Sequence, residues 1–269
     1  MYDIAGLVKG AAEGKGLGNA FLGHIRAVDA IVHVVRCFND PNILHVNSDD
    51  GPRDPLKDVE VIELELILAD LESVEKRLNA KRIDENERAN LVQARNSLQR
   101  GERPIKTAPQ LQHMNLLTLK PVLYALITDN IHGDEVTRAI AQKLNGPSLP
   151  ISARLEAEVA EEPDLSLREE LRKEFGLDHP EASSLRHLSQ GIAKLLNRRV
   201  FYTIGEKEAR SWPLAPDDRA VNAAERIHSD IAKNLVNVEI KREVQDKGRM
   251  EGKDYIMQDG DIAFFRHRG

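Results

Sequence analysis

The start of the chain holds residue types that could bind the terminal phosphate of a nucleotide. Asp3 and Gly6 form an Asp-x-x-Gly turn, which runs into a glycine-rich stretch over residues 10–19. A carboxylate at such a turn can hold a magnesium-bound water, and the glycine amide can donate to a phosphate because no side chain stands in the way. The pattern is typical of the mobile switch loop of a nucleotide-binding site.

A complete site of this kind also needs a phosphate-binding loop, Gly-x-x-x-x-Gly-Lys-Ser/Thr, between a strand and a helix. The nearest match lies at residues 10–16, where the glycine spacing is short, Gly16 replaces the hydroxyl residue and no strand precedes. Losing three charge-assisted hydrogen bonds weakens binding by on the order of a thousandfold or more. We therefore expect a chain that holds nucleotide poorly and hydrolyses none by itself, as a fragment of a longer enzyme.

Composition indicates a soluble cytoplasmic protein. The 269 residues, 41% of them hydrophobic, suffice for one large domain or two to three small ones. The sequence has neither a long uncharged apolar run nor a signal-peptide layout, so we expect no membrane partner. The net charge of −6 argues against nonspecific nucleic-acid binding by the whole surface but leaves room for a local basic patch, and we expect no DNA partner. The single cysteine, Cys37, lies in an apolar segment and is expected to be packing.

Two regions predict a parallel sheet covered by helices. Apolar strands alternate with amphipathic helices over residues 1–58 and again over residues 118–199. The predicted strands are Ala30–Cys37, Pro121–Ile127 and Ser148–Ile151.

Residues 59–117, between those regions, predict a helical hairpin. Apolar residues recur three and four positions apart, which indicates a short coiled-coil seam, at Leu64, Ile67, Leu71, Val74 and Leu78. Asp84 and Glu87 resemble a capping box that begins a second helix, and Gly101 can end it.

Residues 200–269 return to strands and predict a small α+β module of β-grasp type. A helix is predicted at Ala220–Ile227, and a turn at residues 258–261 leads into the last strand. The predicted strands are Val200–Ile204, Ala209–Leu214, Val236–Ile240, Asp254–Met257 and Ile262–Phe265.

Taken together, these segments resemble the Obg-like ATPase (YchF-type) family of translation-associated P-loop NTPases. The resemblance spans nearly the whole chain in the right order, at residues 3–11, 16–19, 33–38, 42–46, 60–71, 117–121, 201–205, 208–212, 226–230 and 252–262. It implies an α/β fold with three parts. An OBG-type domain would comprise residues 1–58 and 118–199, and its sheet would lack the N-terminal strand and phosphate loop. An inserted coiled-coil hairpin would comprise residues 59–117, and a TGS domain would comprise residues 200–269.

The resemblance also implies roles on the phosphate side. Asp3 would hold Mg²⁺ through a water, and the Gly6 amide would sense the terminal phosphate. Typical GTPases follow that glycine with a glutamine that orients the attacking water, whereas this chain has Leu7. His45 is the candidate for that role, since a histidine in a polar loop can titrate near neutrality. The alternative is that His45 is a surface or hinge residue.

On the base side, the resemblance aligns Ile127, Thr128 and Asn130 with the family's base-recognition motif. Asn130 stands where the family has an acidic residue, in an altered form of the GTPase motif. The neutral amide of Asn130 offers both a donor and an acceptor, so it does not indicate guanine recognition. A one-residue gap would put Asp129 there instead.

A second loop resembles the family's last base-contacting segment, formed by Ser152 and Ala153 after the strand that ends at Ile151. Ser152 is equally natural as a helix N-cap.

The implied function is ribosome-associated, translation-linked binding and hydrolysis of ATP, or GTP, with Mg²⁺, by a monomer that contacts the ribosome and its RNA. The alternative is a catalytically inert ribosome- or RNA-binding adaptor acting through the TGS domain and the helical hairpin. The last quarter of the chain is rich in basic residues, which favours the adaptor. Aromatic residues there could stack on bases, although core packing is the commoner role at strand spacing. A pseudo-enzyme would also explain the missing phosphate loop. The nine histidines show no metal-ligand spacing.

Overall fold

The structure, a computed structural model, describes residues 17–40, 54–104, 111, 113–130, 133–179, 183–205 and 208–267, with the backbone alone for residues 17–20. Asp3, Gly6 and His45 lie outside these ranges. The chain divides into two compact units, the first up to Ser189 and the second from Gln190. The division into three domains with the boundaries given above stays a prediction.

The first unit contains a parallel sheet of three strands in the described part of the chain. Its strands are β1 (Ile31–Arg36), β2 (Val122–Ile127) and β3 (Ser148–Ile151), in the order β1-β2-β3. β2 is apolar throughout and buried along most of its length, as expected for a parallel strand covered on both faces. It begins one residue later than predicted because Pro121 has no N–H to donate; the Pro121 carbonyl accepts from Ile31 N at 2.9 Å.

Helices surround this sheet, and short acidic residues begin several of them. Asp54 and Asp134 accept hydrogen bonds from the backbone amides of Leu56 (3.0 Å) and Thr137 (2.7 Å), which satisfies donors that a helix start leaves without partners. The helices are α1 (Leu17–Ala27), α2 (Pro55–Leu78), α3 (Glu85–Gln99), α4 (Glu135–Lys143), α5 (Ala153–Glu161), α6 (Leu165–Glu174) and α7 (Ser184–Leu195), with a 3₁₀ turn at Leu117–Leu119.

The helices α2 and α3 pack as an antiparallel pair, so the predicted hairpin is present. Asp84 caps α3 by accepting from Glu87 N at 2.7 Å, and the Glu87 carboxylate pairs with Arg77 near the end of α2. Gly101 ends the pair with a positive φ of 75°, a conformation that favours glycine.

The buried seam between α2 and α3 is shorter than predicted. Ile67, Val74 and Leu78 are buried against Leu91 and other residues of α3, and Leu71 is partly buried. Leu64 does not belong to the seam, because it is 53% exposed. The coiled-coil character of the pair stays a prediction.

A buried carboxylate joins this helical pair to the strand that follows it. Asp70 of α2 is fully buried and accepts from Leu117 N (2.9 Å), Thr118 N (2.8 Å) and Thr118 Oγ1 (2.7 Å). Burial raises the pKa of Asp70, and these hydrogen bonds oppose that shift. The contacts hold the chain that enters β2 against α2.

The same cluster of polar groups reaches α1. The guanidinium of Arg26 lies 3.9 Å from Asp70 and donates to Ser73 Oγ at 2.9 Å. Lys120, just before β2, donates to the carbonyls of Arg26 (3.0 Å) and Val28 (2.6 Å). These carbonyls belong to the end of α1 and the residues after it, where a cation is favourable.

We predict that Asp70→Ala lowers the free energy of unfolding by about 3 kcal/mol or more, because it leaves three buried donors without an acceptor. Asp70→Asn keeps one acceptor oxygen and should cost less. Urea denaturation followed by circular dichroism measures both. The exposed Glu72 on the same helix supplies the control, Glu72→Ala, which should stay close to wild type. A loss for Asp70→Ala as small as that of the control would contradict the role of the cluster.

A second group of side chains links β1, β2 and α2. Tyr124 is fully buried and donates from its hydroxyl to Glu63 Oε1 at 2.6 Å; burial and this bond raise its pKa to about 12. His33 lies opposite Tyr124 in the register, with 5.6 Å between ring centroids. Burial lowers the pKa of His33, although the charges of Glu63 and Asp58 partly oppose this shift.

The lowered pKa of His33 predicts a pH dependence of stability. Below the unfolded value of about 6.5, the unfolded chain binds a proton that the folded chain resists, so the free energy of unfolding falls as the pH drops below that value. Urea denaturation between pH 8 and pH 5 should show this fall, and His33→Gln should remove part of it. The matched control is His24→Gln, at an exposed position of α1. Equal pH profiles for wild type and His33→Gln would contradict the prediction.

In its described residues, the second unit contains the end of α7, a mixed five-stranded sheet and two short helices. Its elements are β4 (Arg199–Ile204), β5 (Ala209–Leu214), α8 (Ala220–Ile227), α9 (Ser229–Asn234), β6 (Leu235–Lys241), β7 (Arg249–Glu251) and β8 (Asp261–His267). The strand order is β5-β4-β8-β6-β7, with β4 and β8 parallel and the other neighbours antiparallel. Phe201, Leu214 and Val238 are fully buried with residues of α8.

The predicted strand Asp254–Met257 is wrong. Met257 is buried there, but its amide donates to the carbonyl of Asp218 at 3.0 Å, and the carbonyl of Tyr255 accepts from Ala220 N at 2.8 Å. The segment therefore bonds to the start of α8 instead of joining the sheet, apart from one isolated bridge between Ile256 and Arg219. β7 was not predicted, because Arg-Met-Glu has no apolar alternation.

Among the described residues, no helix is both long and apolar enough to cross a membrane.

Candidate functional site

The carboxyl ends of β2 and β3 meet at one edge of the parallel sheet. Ile127 pairs with Ile151 at the ends of the two strands, and Thr128 N donates to the carbonyl of Ile151 at 3.0 Å. The next residues, Thr128 and Ser152, therefore start neighbouring loops. Ligands of open α/β sheets bind outside this edge.

The loop after β2 is a compact turn. Thr128 is buried, and its Oγ1 accepts from Asn130 N at 3.3 Å. Gly133 N donates to the carbonyl of Asn130 at 3.0 Å, and Gly133 has a φ of 68°. The side chains of Asn130 and Asp129 are exposed to solvent at the turn, and Asp129 lies 3.4 Å from the guanidinium of Arg154 in α5.

Ser152, at the start of the other loop, has a buried hydroxyl without a partner in the described structure. It occupies the N-cap position of α5, yet its side chain makes no capping hydrogen bond. The residue is fully buried, and its Oγ has no hydrogen-bond partner among the described residues. An unsatisfied buried hydroxyl costs about 1–3 kcal/mol, so such a group calls for an explanation; the buried hydroxyl of Thr137 likewise has no partner among the described residues.

The backbone of Ser152 is held by two residues that sequence reasoning missed. Ser152 N donates to Ser184 Oγ at 3.3 Å, and Ser184 N donates to Glu156 Oε1 at 2.5 Å. Ser183 Oγ lies 3.4 Å from the other oxygen of Glu156. The serine pair before the apolar run of α7 is the available sequence signal, because serine is common at helix starts.

The base-side residues taken from the family resemblance thus lie on two neighbouring loops. Ile127 is the half-buried last residue of β2, and Thr128 and Asn130 follow it. Ser152 and Ala153 follow β3, with Ala153 exposed as the first residue of α5. Their contact with a base stays a prediction.

Comparison with known proteins adds relatives that match along nearly the whole chain. The ribosome-binding ATPase YchF of Escherichia coli O157:H7 is 36% identical over 298 residues, which cover 98% of this chain and 80% of the relative. The protein of the same name from Bacillus subtilis (strain 168) is 36% identical over 307 residues, with the same shares covered. This chain belongs to the YchF family.

Other comparisons agree with membership of the YchF family. The family model YchF-GTPase_C, described as a protein of unknown function (DUF933), matches residues 199–268. The solved structure of the Schizosaccharomyces pombe YchF GTPase has a TM-score of 0.77 and 30% identity, covering 98% of this chain and 79% of its own. A GTP-binding protein from Pyrococcus horikoshii OT3 shares the fold alone, with a TM-score of 0.56 and 17% identity. That match covers 92% of this chain and 81% of the other.

The part of this YchF-family chain that the structure describes contains no group of three or more His, Cys, Asp or Glu residues that could hold a metal ion.

We predict that Ser152→Ala leaves the ligand-free protein within about 1 kcal/mol of wild type, with a gain in stability favoured, because it removes a buried hydroxyl that has no partner among the described residues. The contrast is Thr118→Val, which removes a buried hydroxyl bonded to Asp70 and should cost about 1.5–3 kcal/mol. Urea denaturation measures both. If Ser152→Ala cost as much as Thr118→Val, the Ser152 hydroxyl would have a protein partner.

Proposed function

We propose that this YchF-family chain is a ribosome-associated, translation-linked protein that binds a nucleoside triphosphate. The base would lie at the carboxyl edge of β2 and β3, between the Thr128–Asn130 turn and Ser152. The observation that carries the proposal is the buried hydroxyl of Ser152 beside that turn, which is unsatisfied within the described structure. The names of the relatives, ribosome-binding ATPase YchF, supply the nucleotide and the ribosome.

The chemistry of Asn130 favours adenine. Guanine recognition uses a carboxylate that accepts two hydrogen bonds, whereas the amide of Asn130 can accept from the adenine amino group and donate to a ring nitrogen. Asn130 is exposed at the turn. ATP is therefore proposed as the preferred nucleotide and GTP as the weaker one.

The phosphate side of the proposal rests on the sequence. Asp3 would hold Mg²⁺ through a water, the Gly6 amide would contact the terminal phosphate, and His45 would position the attacking water. Magnesium, when bound, would neutralise charge on the phosphate oxygens. All three residues lie outside the described ranges, so the sequence motif alone supports their roles.

The domain plan is part of the same proposal. Residues 1–58 and 118–199 would form the OBG-type nucleotide domain, residues 59–117 the coiled-coil insertion and residues 200–269 the TGS domain. The packed pair of α2 and α3 and the mixed sheet of the second unit support this division. A cytoplasmic monomer that binds ribosomal RNA completes it.

A catalytically inert RNA-binding adaptor is the second candidate, favoured by one face of the second sheet. Tyr202 is 40% exposed and pairs with Ile262, which also pairs with Lys241, so the three share a face. The Lys241 ammonium lies 5.4 Å from the ring centroid of Phe264 on this face. Aromatic rings beside cations suit single-stranded RNA.

The proposed base site predicts the effect of two neighbouring substitutions. Asn130→Asp should shift the ratio of ATP to GTP affinity towards GTP by about tenfold to a hundredfold, because a carboxylate accepts two guanine hydrogen bonds and repels the adenine ring nitrogen. Titration of the isotope-labelled chain with millimolar ATP and GTP, followed through the amide resonances of residues 128–130 and 152–154, measures weak affinities.

The matched control is Asp129→Asn, which should leave the affinity ratio unchanged. If Asp129→Asn moves the ratio and Asn130→Asp does not, the register of the turn against the base is wrong. If neither nucleotide shifts these resonances in the wild type, the base-site proposal fails, and the adaptor becomes the better account.

A further inference from the structure

Ser152, Ser184 and Glu156 form a closed ring of hydrogen bonds behind the proposed base site. Ser152 N donates to Ser184 Oγ (3.3 Å), and Ser184 N donates to Glu156 Oε1 (2.5 Å). Glu156 N in turn donates to the carbonyl of Ser152 at 3.1 Å. Ser184 is 4% exposed and Ser152 is fully buried.

The ring keeps Ser152 out of the role that its position would normally give it. A serine at an N-cap usually accepts a hydrogen bond from an amide of the first helical turn. Ser152 has φ −100° and ψ 64°, and its hydroxyl makes no such bond. The bond to Ser184 Oγ fixes the peptide of Ser152 in this arrangement, and the hydroxyl then stays buried without a partner in the described part of the chain.

The charge of Glu156 fits its place between two helix starts. Glu156 lies in the first turn of α5, and its carboxylate accepts from the amide of the first residue of α7. Both helix N-termini carry partial positive charge, so a negatively charged carboxylate beside them is favourable. The position of Ser184, and through it that of Ser152, therefore depends on an acceptor at residue 156.

We propose that Ser184 and Glu156 are positioning residues of the base site, which hold the Ser152 hydroxyl, buried in the ligand-free chain, for a hydrogen bond to the nucleotide base that forms when ligand binding exposes it. The inference rests on the proposed function. It predicts that breaking the ring lets Ser152 rotate into an ordinary cap of α5. The base then loses one hydrogen bond, while the phosphates keep theirs.

A double-mutant cycle with a base-free ligand tests this role. Ser152→Ala, Ser184→Ala and the double variant are compared by equilibrium titration with ATP and with inorganic triphosphate. Each single variant should weaken ATP binding by about threefold to tenfold, and the double variant should be no weaker than the singles because both remove the same contact. Affinity for inorganic triphosphate should not change, whereas general damage to the fold would weaken both ligands.

Three further variants sharpen the test. Ser184→Thr keeps the hydroxyl and should restore ATP affinity, and Glu156→Gln keeps an acceptor oxygen and should lose less than Glu156→Ala. Ser189→Ala is the control on the same helix, because the Ser189 hydroxyl donates to the carbonyl of Leu185, away from the ring. It should match wild type.

The outcomes separate the two proposals. If Ser152→Ala weakens ATP binding but Ser184→Ala and Glu156→Ala do not, the positioning role is overturned and the base site stands. Additive losses in the double variant, or equal losses for inorganic triphosphate, also overturn it. If the wild type binds ATP no better than inorganic triphosphate, the base site itself fails and takes the inference with it.

Discussion

The parallel pairing of β2 with β3 is the constraint on which the candidate site depends. Because Ile127 lies opposite Ile151, the residues that follow each strand must begin side by side. The bond from Thr128 N to the carbonyl of Ile151 extends that pairing by one residue. Residues far apart in sequence thereby share one edge. The register of β2 against β3 therefore sets the position of the candidate site, and the side chains of the two loops would supply its chemistry.

Polar contacts away from the candidate site hold the start of β2 in place. Asp70 receives the chain that enters β2, and Lys120 binds the carbonyls at the end of α1. The same contacts join the α2 and α3 pair to the chain that enters the sheet. Both carboxylate oxygens of Asp70 accept hydrogen bonds, and a buried polar network stabilises a fold only when its groups have such partners.

Local signals in the sequence predicted much of the fold, and long-range contacts explain the misses. The bounds of β3 and β5 and the Asp84 cap of α3 follow from strand alternation and capping chemistry, and the structure confirms them. The strand prediction at Asp254–Met257 failed because a buried apolar residue such as Met257 can lie in a loop as well as in a strand. The serine pair before α7 signals only a helix start; the contacts of Ser184 with Ser152 and Glu156 could not be found from sequence, since they are set by tertiary packing.

Photo-crosslinking with 8-azido-ATP tests the central claim most directly, because the reactive group sits on the base itself. Mass spectrometry should locate the modified residues within 128–133 or 152–156, and excess ATP should abolish the modification. Crosslinks confined to other peptides of the chain, or crosslinks at these peptides that ATP does not suppress, would contradict a base site at the carboxyl edge of β2 and β3.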